Sequence, residues 1–185
     1  AISRNHTELM LSYFGASVNA EGTTVSVLPR PKLTGRRLSI PGDISSAAYF
    51  IAAALIVPNS ELLIKNVGIN PTRDGIINVC RMMGADIKLE NIRNYGSEPV
   101  CDIYVRHSSL KGIEIGGDII PTLIDEIPVI AVLSCFADGK TVIRNAEELK
   151  VKESNRLEVI VNNLSNMGAD ITATEDGMII NGGKP

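Results

Sequence analysis

The sequence contains no tryptophan, four tyrosines and three phenylalanines, so aromatic residues make up only 4% of it and little is available to stack on nucleobases. Its formal net charge of -3 also removes the broad basic surface that a general nucleic-acid binder needs. We therefore expect no nucleic-acid partner, and any anion site must be local. Histidine is nearly as scarce. His6 and His107 lie far apart, and Cys80, Cys101 and Cys135 are spaced too widely for a metal motif, so a His- or Cys-based metal site is disfavoured while a carboxylate site stays open. Both histidines read as ordinary surface or loop residues. An odd number of cysteines makes no disulfide framework and points to a reducing, cytoplasmic compartment. The longest apolar run, Ala47 to Pro58, is about half of what a bilayer crossing needs, so no membrane partner is expected. No secretory leader is visible, and the chain opens at Ala1 almost inside a helical pattern, which leads us to expect an excised fragment.

What is present is the composition of an ordered globular protein: 185 residues, 44% hydrophobic and 21% charged, enough for one large domain or two small ones. Its organisation is repetitive. Phe14-Gly15-Ala16-Ser17-Val18 recurs as Met83-Gly84-Ala85-Asp86-Ile87 and as Met167-Gly168-Ala169-Asp170-Ile171, each time closing an amphipathic helix and opening a strand. Arg4 and Arg73 precede the first two copies by ten residues and Arg156 precedes the third by eleven. Upstream, Ile44 to Asn66 resembles Leu123 to Asn145, pairing helices Ser46 to Val57 and Ile127 to Ala137 and the strands Glu61 to Val67 and Thr141 to Ala146. The result is a βαβαββ unit occurring twice, at about 38 to 106 and 111 to 181, with residues 1 to 37 as the tail of a third copy. The first helix of each unit is apolar almost all round, which predicts helices inside and sheets outside, an α/β (α+β) architecture. Hairpins are expected for Val18 to Ala20 with Thr24 to Leu28, Asp86 to Glu90 with Asp102 to His107, and Asp170 to Ala173 with Met178 to Asn181. Asp176-Gly177 forms the last turn and Asn94 to Pro99 a longer loop. The polar, proline-bearing stretch 29 to 37 reads as a domain crossover.

Two charged clusters could carry chemistry. In Leu149-Lys150-Val151-Lys152-Glu153-Ser154-Asn155-Arg156-Leu157 three cations and a carboxylate crowd an expected helix start. The apolar stripe Leu157, Ile160, Val161, Leu164, Met167 follows, and Gly168 stops it. That reading puts Lys152 and Arg156 one turn apart on one helix face. Cations there oppose the macrodipole, which suits an anion site; a solvated charged turn is the alternative. The second cluster, Asp125-Glu126, stands before Pro128, a residue suited to the first helical position. A helix cap would explain one acid but not two. A base facing cations is the usual equipment for addition and elimination on a hydroxyl acceptor and an anionic donor. Arg4 stands equally as a ligand contact or surface charge. Arg73 reads as surface or structural because nothing acidic accompanies it, and Ser45-Ser46 as a double cap.

Lys150-Val151-Lys152-Glu153-Ser154-Asn155-Arg156-Leu157 resembles the second signature of the 5-enolpyruvylshikimate-3-phosphate synthase family, the 3-phosphoshikimate 1-carboxyvinyltransferases. Leu123-Ile124-Asp125-Glu126-Ile127-Pro128, Pro41-Gly42-Asp43-Ile44-Ser45-Ser46-Ala47, Asn70-Pro71-Thr72-Arg73 and Ser3-Arg4-Asn5-His6-Thr7-Glu8 resemble further family segments in the same order, across essentially the whole chain. The resemblance implies the enolpyruvyl transferase fold, two inside-out, barrel-like domains of three βαβαββ units each. Residues 1 to 37 would then be the end of the first domain plus the crossover, and 38 to 185 two units of the second.

The resemblance also implies a reaction. The enolpyruvyl group of phosphoenolpyruvate passes to the 5-hydroxyl of shikimate 3-phosphate through a tetrahedral addition intermediate, with loss of phosphate, a step of chorismate and aromatic amino-acid biosynthesis. No metal or organic cofactor is implied, and the complete enzyme is expected to be a monomer. By the same resemblance Asp125 binds the shikimate hydroxyls and accepts the proton, and Glu153 handles the proton at the enolpyruvyl methylene. Lys152 and Arg4 meet the shikimate phosphate, Arg156 holds phosphoenolpyruvate, and Glu126 lies beside the site. The family's amino-terminal phosphate-binding segments and a later arginine are missing, so the chain alone is expected to be inactive. The residues at Glu148 and Leu149 depart from some relatives. UDP-N-acetylglucosamine 1-carboxyvinyltransferase is the competing enzyme reading, and a non-catalytic anion-binding repeat protein the competing reading of another class.

Overall fold

The computed structural model describes residues 3 to 183. Its elements run α1 (His6–Tyr13), β1 (Val18–Glu21), β2 (Thr24–Val27), α2 (Ile44–Ile56), β3 (Glu61–Gly68), α3 (Gly75–Met82), β4 (Asp86–Tyr95), β5 (Glu98–Arg106), β6 (Glu114–Ile115), α4 (Ile127–Phe136), β7 (Lys140–Ile143), α5 (Arg156–Asn166), β8 (Asp170–Ala173) and β9 (Met178–Asn181). Short 3₁₀ turns cover Gly117–Thr122 and Glu147–Val151. Among the described residues no helix is long and apolar enough to cross a membrane.

The repeat is visible in hydrogen bonds. In each of the three Gly-Ala copies the glycine takes a left-handed φ, 102° at Gly15, 90° at Gly84 and 96° at Gly168. The following alanine N–H reaches back to the helix: Ala16 to Leu11 O at 2.9 Å, Ala85 to Cys80 O at 2.9 Å and Ala169 to Leu164 O at 3.0 Å. This is one helix terminator used three times, because only glycine enters that backbone region without a Cβ penalty. Other boundaries are equally local. Asp43 caps α2 by accepting from Ser46 N at 2.8 Å, and Pro58 forces Val57 into extended backbone, which ends it. Pro128 opens α4, and Asn155 caps α5 by accepting from Glu158 N.

The two units share a strand order. The second forms the sheet β6-β7-β9-β8, parallel only between β6 and β7; the first forms β3-β5-β4, with its leading strand reduced to a parallel bridge between Gly42 and Val67. The expected first strand of that unit is thus nearly absent. A second departure concerns Asn94 to Pro99, which is no loop. β4 and β5 extend to pair Tyr95 with Glu98 across a tight Gly96-Ser97 turn, Gly96 having φ 65°. A bulge at Asn91, φ 51°, separates the Glu90–Asp102 pair from Arg93–Val100 and resets the register that the polar sequence had obscured.

One apolar core runs through both units, with Ile51, Leu55, Ile76, Ile77, Ile103, Leu123, Ile127, Ile130 and Ile143 among its buried members. α2 and α4 pack together inside. α2 is inside, as its apolar sequence predicts, but one side of it stays open: Tyr49 is 63% and Phe50 61% exposed. Tyr49 borders an apolar cavity of about 310 Å³ between α2 and α4 that includes Ala53, Pro128 and Val132. The units meet closely at Gly75, where an added Cβ would strike Thr122 Oγ1 and approach Leu123 to 3.0 Å. α1 docks on the first unit through His6 Nδ1 and Glu98 Oε1 at 2.7 Å and through Asn70 Nδ2, which donates to Asn5 Oδ1 at 2.9 Å.

Candidate active site

Because the units repeat, the amino-terminal turns of their helices come to one side of the molecule, and their charged residues meet there. Asp125 precedes α4 and Arg156 begins α5; Arg156 Nη1 lies 3.3 Å from Asp125 Oδ1. Arg4, from the turn before α1, ion-pairs with the other Asp125 oxygen. Arg156 Nη2 also holds Glu153 at 2.7 Å, so the row reads Arg4, Asp125, Arg156, Glu153. Asp125 and Arg156 are partly exposed, and Glu153 is open to solvent. Both expected clusters therefore converge, and Arg4 joins them.

The electrostatics follow from this arrangement. Burial pushes the Asp125 carboxyl up, but the Arg4 guanidinium, with Arg156 and Arg73 in support, outweighs burial and holds it below the ordinary carboxylate range. A backbone amide and then Arg156 hold Glu153 low as well. Glu126 goes the other way. It is 2% exposed, and burial, with the neighbouring Asp125 charge added, outweighs Ser45 and Arg73 and raises its carboxyl. Neither acid caps α4 through its side chain; Glu126 instead accepts from the Ser45 hydroxyl.

Lys152 departs from the expected position. Asn155 starts α5 later than supposed, so Lys152 lies in the extended residue after a 3₁₀ turn, shares no helix face with Arg156, and pairs with Glu148. The cause is local: an Asn side chain followed three residues later by Glu158 caps the helix at Arg156 and strips the preceding residues of helical bonds. The reading of Arg73 is also corrected. Two acids accompany it, Asp43 Oδ1 at 3.5 Å and Glu126 Oε1 at 4.0 Å, and its Nη2 donates to Ser45 Oγ at 2.6 Å. Ser45 is accordingly no cap; Asp43 has that task. The repeat held the missed signal, because Arg73 stands ten residues before Met83 much as Arg156 stands eleven before Met167.

The arrangement offers a partly buried carboxylate flanked by guanidinium groups at helix amino-termini, whose unpaired N–H groups and positive dipole ends favour anions. It can bind phosphate or carboxylate groups and take a proton from a hydroxyl beside them. Among the described residues no group of three or more His, Cys, Asp or Glu side chains is placed to hold a metal ion.

A family model described as EPSP synthase (3-phosphoshikimate 1-carboxyvinyltransferase) matches residues 1–185. A curated relative of Thermoanaerobacter pseudethanolicus, named 3-phosphoshikimate 1-carboxyvinyltransferase, is 63% identical over 180 residues, 97% of this chain and 43% of the relative. One from Geobacillus kaustophilus with the same name is 58% identical over 183 residues, 99% of this chain and 43% of its own. The chain thus spans less than half the length of these relatives. Among solved structures, an EPSP synthase from Acinetobacter baumannii superimposes with a TM-score of 0.95 at 44% identity, over all of this chain and 42% of that one. The enolpyruvyl transferase NikO from Streptomyces tendae, at 17% identity and a TM-score of 0.65, shares the fold.

Proposed function

Because the chain belongs to the EPSP synthase family, we propose that the full-length protein containing these residues transfers the enolpyruvyl group of phosphoenolpyruvate to the 5-hydroxyl of shikimate 3-phosphate and releases phosphate. The observation that carries the reading is Asp125, held between Arg4 and Arg156 where the first turns of α4 and α5 meet. In the addition step the 5-oxygen bonds to C2 of phosphoenolpyruvate, Asp125 takes the hydroxyl proton, and C3 gains a proton from Glu153, which takes it up from solvent once the substrate anions draw Arg156 off that carboxylate. In the elimination step the C2–O bond to phosphate breaks, Glu153 takes a proton back from C3, the double bond re-forms, and the proton on Asp125 leaves with the departing phosphate. Arg4, Arg156 and Lys152 neutralise the phosphate and carboxylate groups.

The depressed Asp125 carboxyl fits this scheme. Substrate anions that draw Arg4 and Arg156 away remove the charges that weaken it as a base, so its proton affinity rises when the acceptor is in place. Lys152 reaches a substrate phosphate by exchanging its exposed partner Glu148 for the stronger anion. We take residues 1 to 37 as the end of one domain with its crossover and 38 to 185 as two units of the next. The active enzyme is a cytoplasmic monomer acting on small molecules only. Three buried, unpaired cysteines support a reducing compartment.

The test is phosphate release by the full-length protein given phosphoenolpyruvate with either shikimate 3-phosphate or UDP-N-acetylglucosamine, with the 185-residue chain as a control. Release only with shikimate 3-phosphate, and none from the short chain, is expected. Release only with the sugar nucleotide moves the protein to the competing transferase, and none with either leaves an anion-binding repeat protein.

A further inference from the structure

Two carboxylates are buried among the described residues, and only one has a structural explanation. Asp102 accepts from Asn66 N at 2.8 Å, Asn91 Nδ2 at 3.0 Å and Arg93 Nη2 at 3.3 Å, which ties the bulge of β4 to β3. Glu126, more deeply buried, has the Ser45 hydroxyl and, at 4.0 Å, the Arg73 guanidinium. It stands at the cap position of α4 but accepts no bond from that helix. For stability alone an apolar side chain of similar volume would serve as well or better at such a place.

Its partners come from other elements. Ser45 is in the first turn of α2 and donates to Glu126; Arg73, two residues before α3, donates to that same hydroxyl at 2.6 Å and pairs with Asp43, the cap of α2. One chain of polar contacts thus binds the amino-terminal ends of α2, α3 and α4 across the junction of the two units. Asp125 is covalently the next residue. We infer that Glu126 is a positioning residue and not a substrate ligand: through Ser45 and Arg73 it fixes the amino-terminal turn of α4 and thereby aims the Asp125 carboxylate at the acceptor hydroxyl.

The inference rests on the proposed reaction for its kinetic readout, so the test has a second readout independent of turnover. In the full-length enzyme, Ser45→Ala, Glu126→Gln, the double variant and the conservative Ser45→Thr are compared for kcat, KM of both substrates and Tm. The titration of Asp125, which faces Arg4, Arg156, Arg73 and Glu126, is followed by NMR of its carboxyl carbon. Misplacing the base predicts a fall in kcat on the order of 10- to 100-fold in each single alanine or glutamine variant, with KM nearly unchanged and Tm within a few degrees. The double variant should be no worse than the poorer single, because the groups act as one unit, and Ser45→Thr should restore kcat. The Asp125 titration should move in Ser45→Ala. Losses that multiply in the double variant, a raised KM with kcat kept, or a lowered Tm with kcat kept would each overturn the inference. If the unaltered protein releases no phosphate, the functional reading has failed, and an Asp125 titration unmoved by Ser45→Ala would then sink the positioning role on its own.

Discussion

Substituting Asp125 by Asn keeps the shape of the side chain and removes its charge, which separates a catalytic base from a structural anchor. Asp125 makes two ion pairs, to Arg4 and to Arg156, and its side chain and those of its partners are 29%, 44% and 30% exposed. Pairs this open are screened by water and salt, and together contribute about 1 kcal/mol or less. The expected fall in Tm is at most about 4 °C. A general base is worth about 10²- to 10⁴-fold in rate, so kcat in the full-length enzyme should fall by that much. KM should not rise, because the variant leaves both guanidinium groups unneutralised and more available to substrate anions. Steady-state phosphate release and a thermal melt on the same preparation measure both quantities. A kcat within about threefold of the parent, or a large loss of Tm with turnover kept, would refute the reasoning and return Asp125 to an architectural role.

Four further outcomes follow from the structure. Replacing Gly75 by Ala forces a Cβ against Thr122 and Leu123 at the junction of the units and should destabilise by about 1–3 kcal/mol, read by urea unfolding. Burial raises the Cys80 thiol to about 12 and the Cys101 thiol to about 11, so neither should react with a disulfide reagent at neutral pH until the protein is unfolded. Glu126 is raised above its ordinary value, so the folded state holds that proton more tightly than the unfolded chain, and stability falls as pH rises through the window above 4.5. Glu126→Gln removes that fall, and its stability relative to the parent should climb as pH rises above 4.5 in denaturant titrations, whereas a flat difference would contradict the raised carboxyl. Finally, the exposed Tyr49 and Phe50 should make the 185-residue chain self-associate, and Tyr49→Ser with Phe50→Asn should shift it toward monomer in sedimentation.

Local chemistry accounts for what could be read from the amino acids. The Gly15, Gly84 and Gly168 terminators, Pro128 at the start of α4 and the Asp176-Gly177 turn between β8 and β9 each act within a few residues, so pattern and structure agree. The departures have non-local or competing causes. Pro99 and the polar run before it imitate a loop, but the strand is set by its neighbours: β5 lies between β3 and β4, and the Pro99 carbonyl accepts from Ile69 N at 2.9 Å. Apolar spacing alone puts Lys152 in a helix, but that spacing begins only at Leu157, and Asn155 with Glu158 marks the true start. Arg73 appeared unaccompanied because its partners arrive from α2 and α4. The equivalence of Arg73 and Arg156, each near the start of the second helix of its unit, is legible from the repeat, whereas the meeting of Asp125 with Arg156 joins the starts of two different helices of one unit and needs the tertiary packing of α4 on α5.

The account turns on where the substrates sit, and a crystal structure of the full-length protein with shikimate 3-phosphate and a non-reactive phosphoenolpyruvate analogue addresses it most directly. We predict the 5-hydroxyl about 2.6–3.2 Å from Asp125, with Arg4 and Arg156 turned from that carboxylate onto the ligand anions. Ligands bound elsewhere, with the Arg4–Asp125–Arg156 pairs intact, would contradict it.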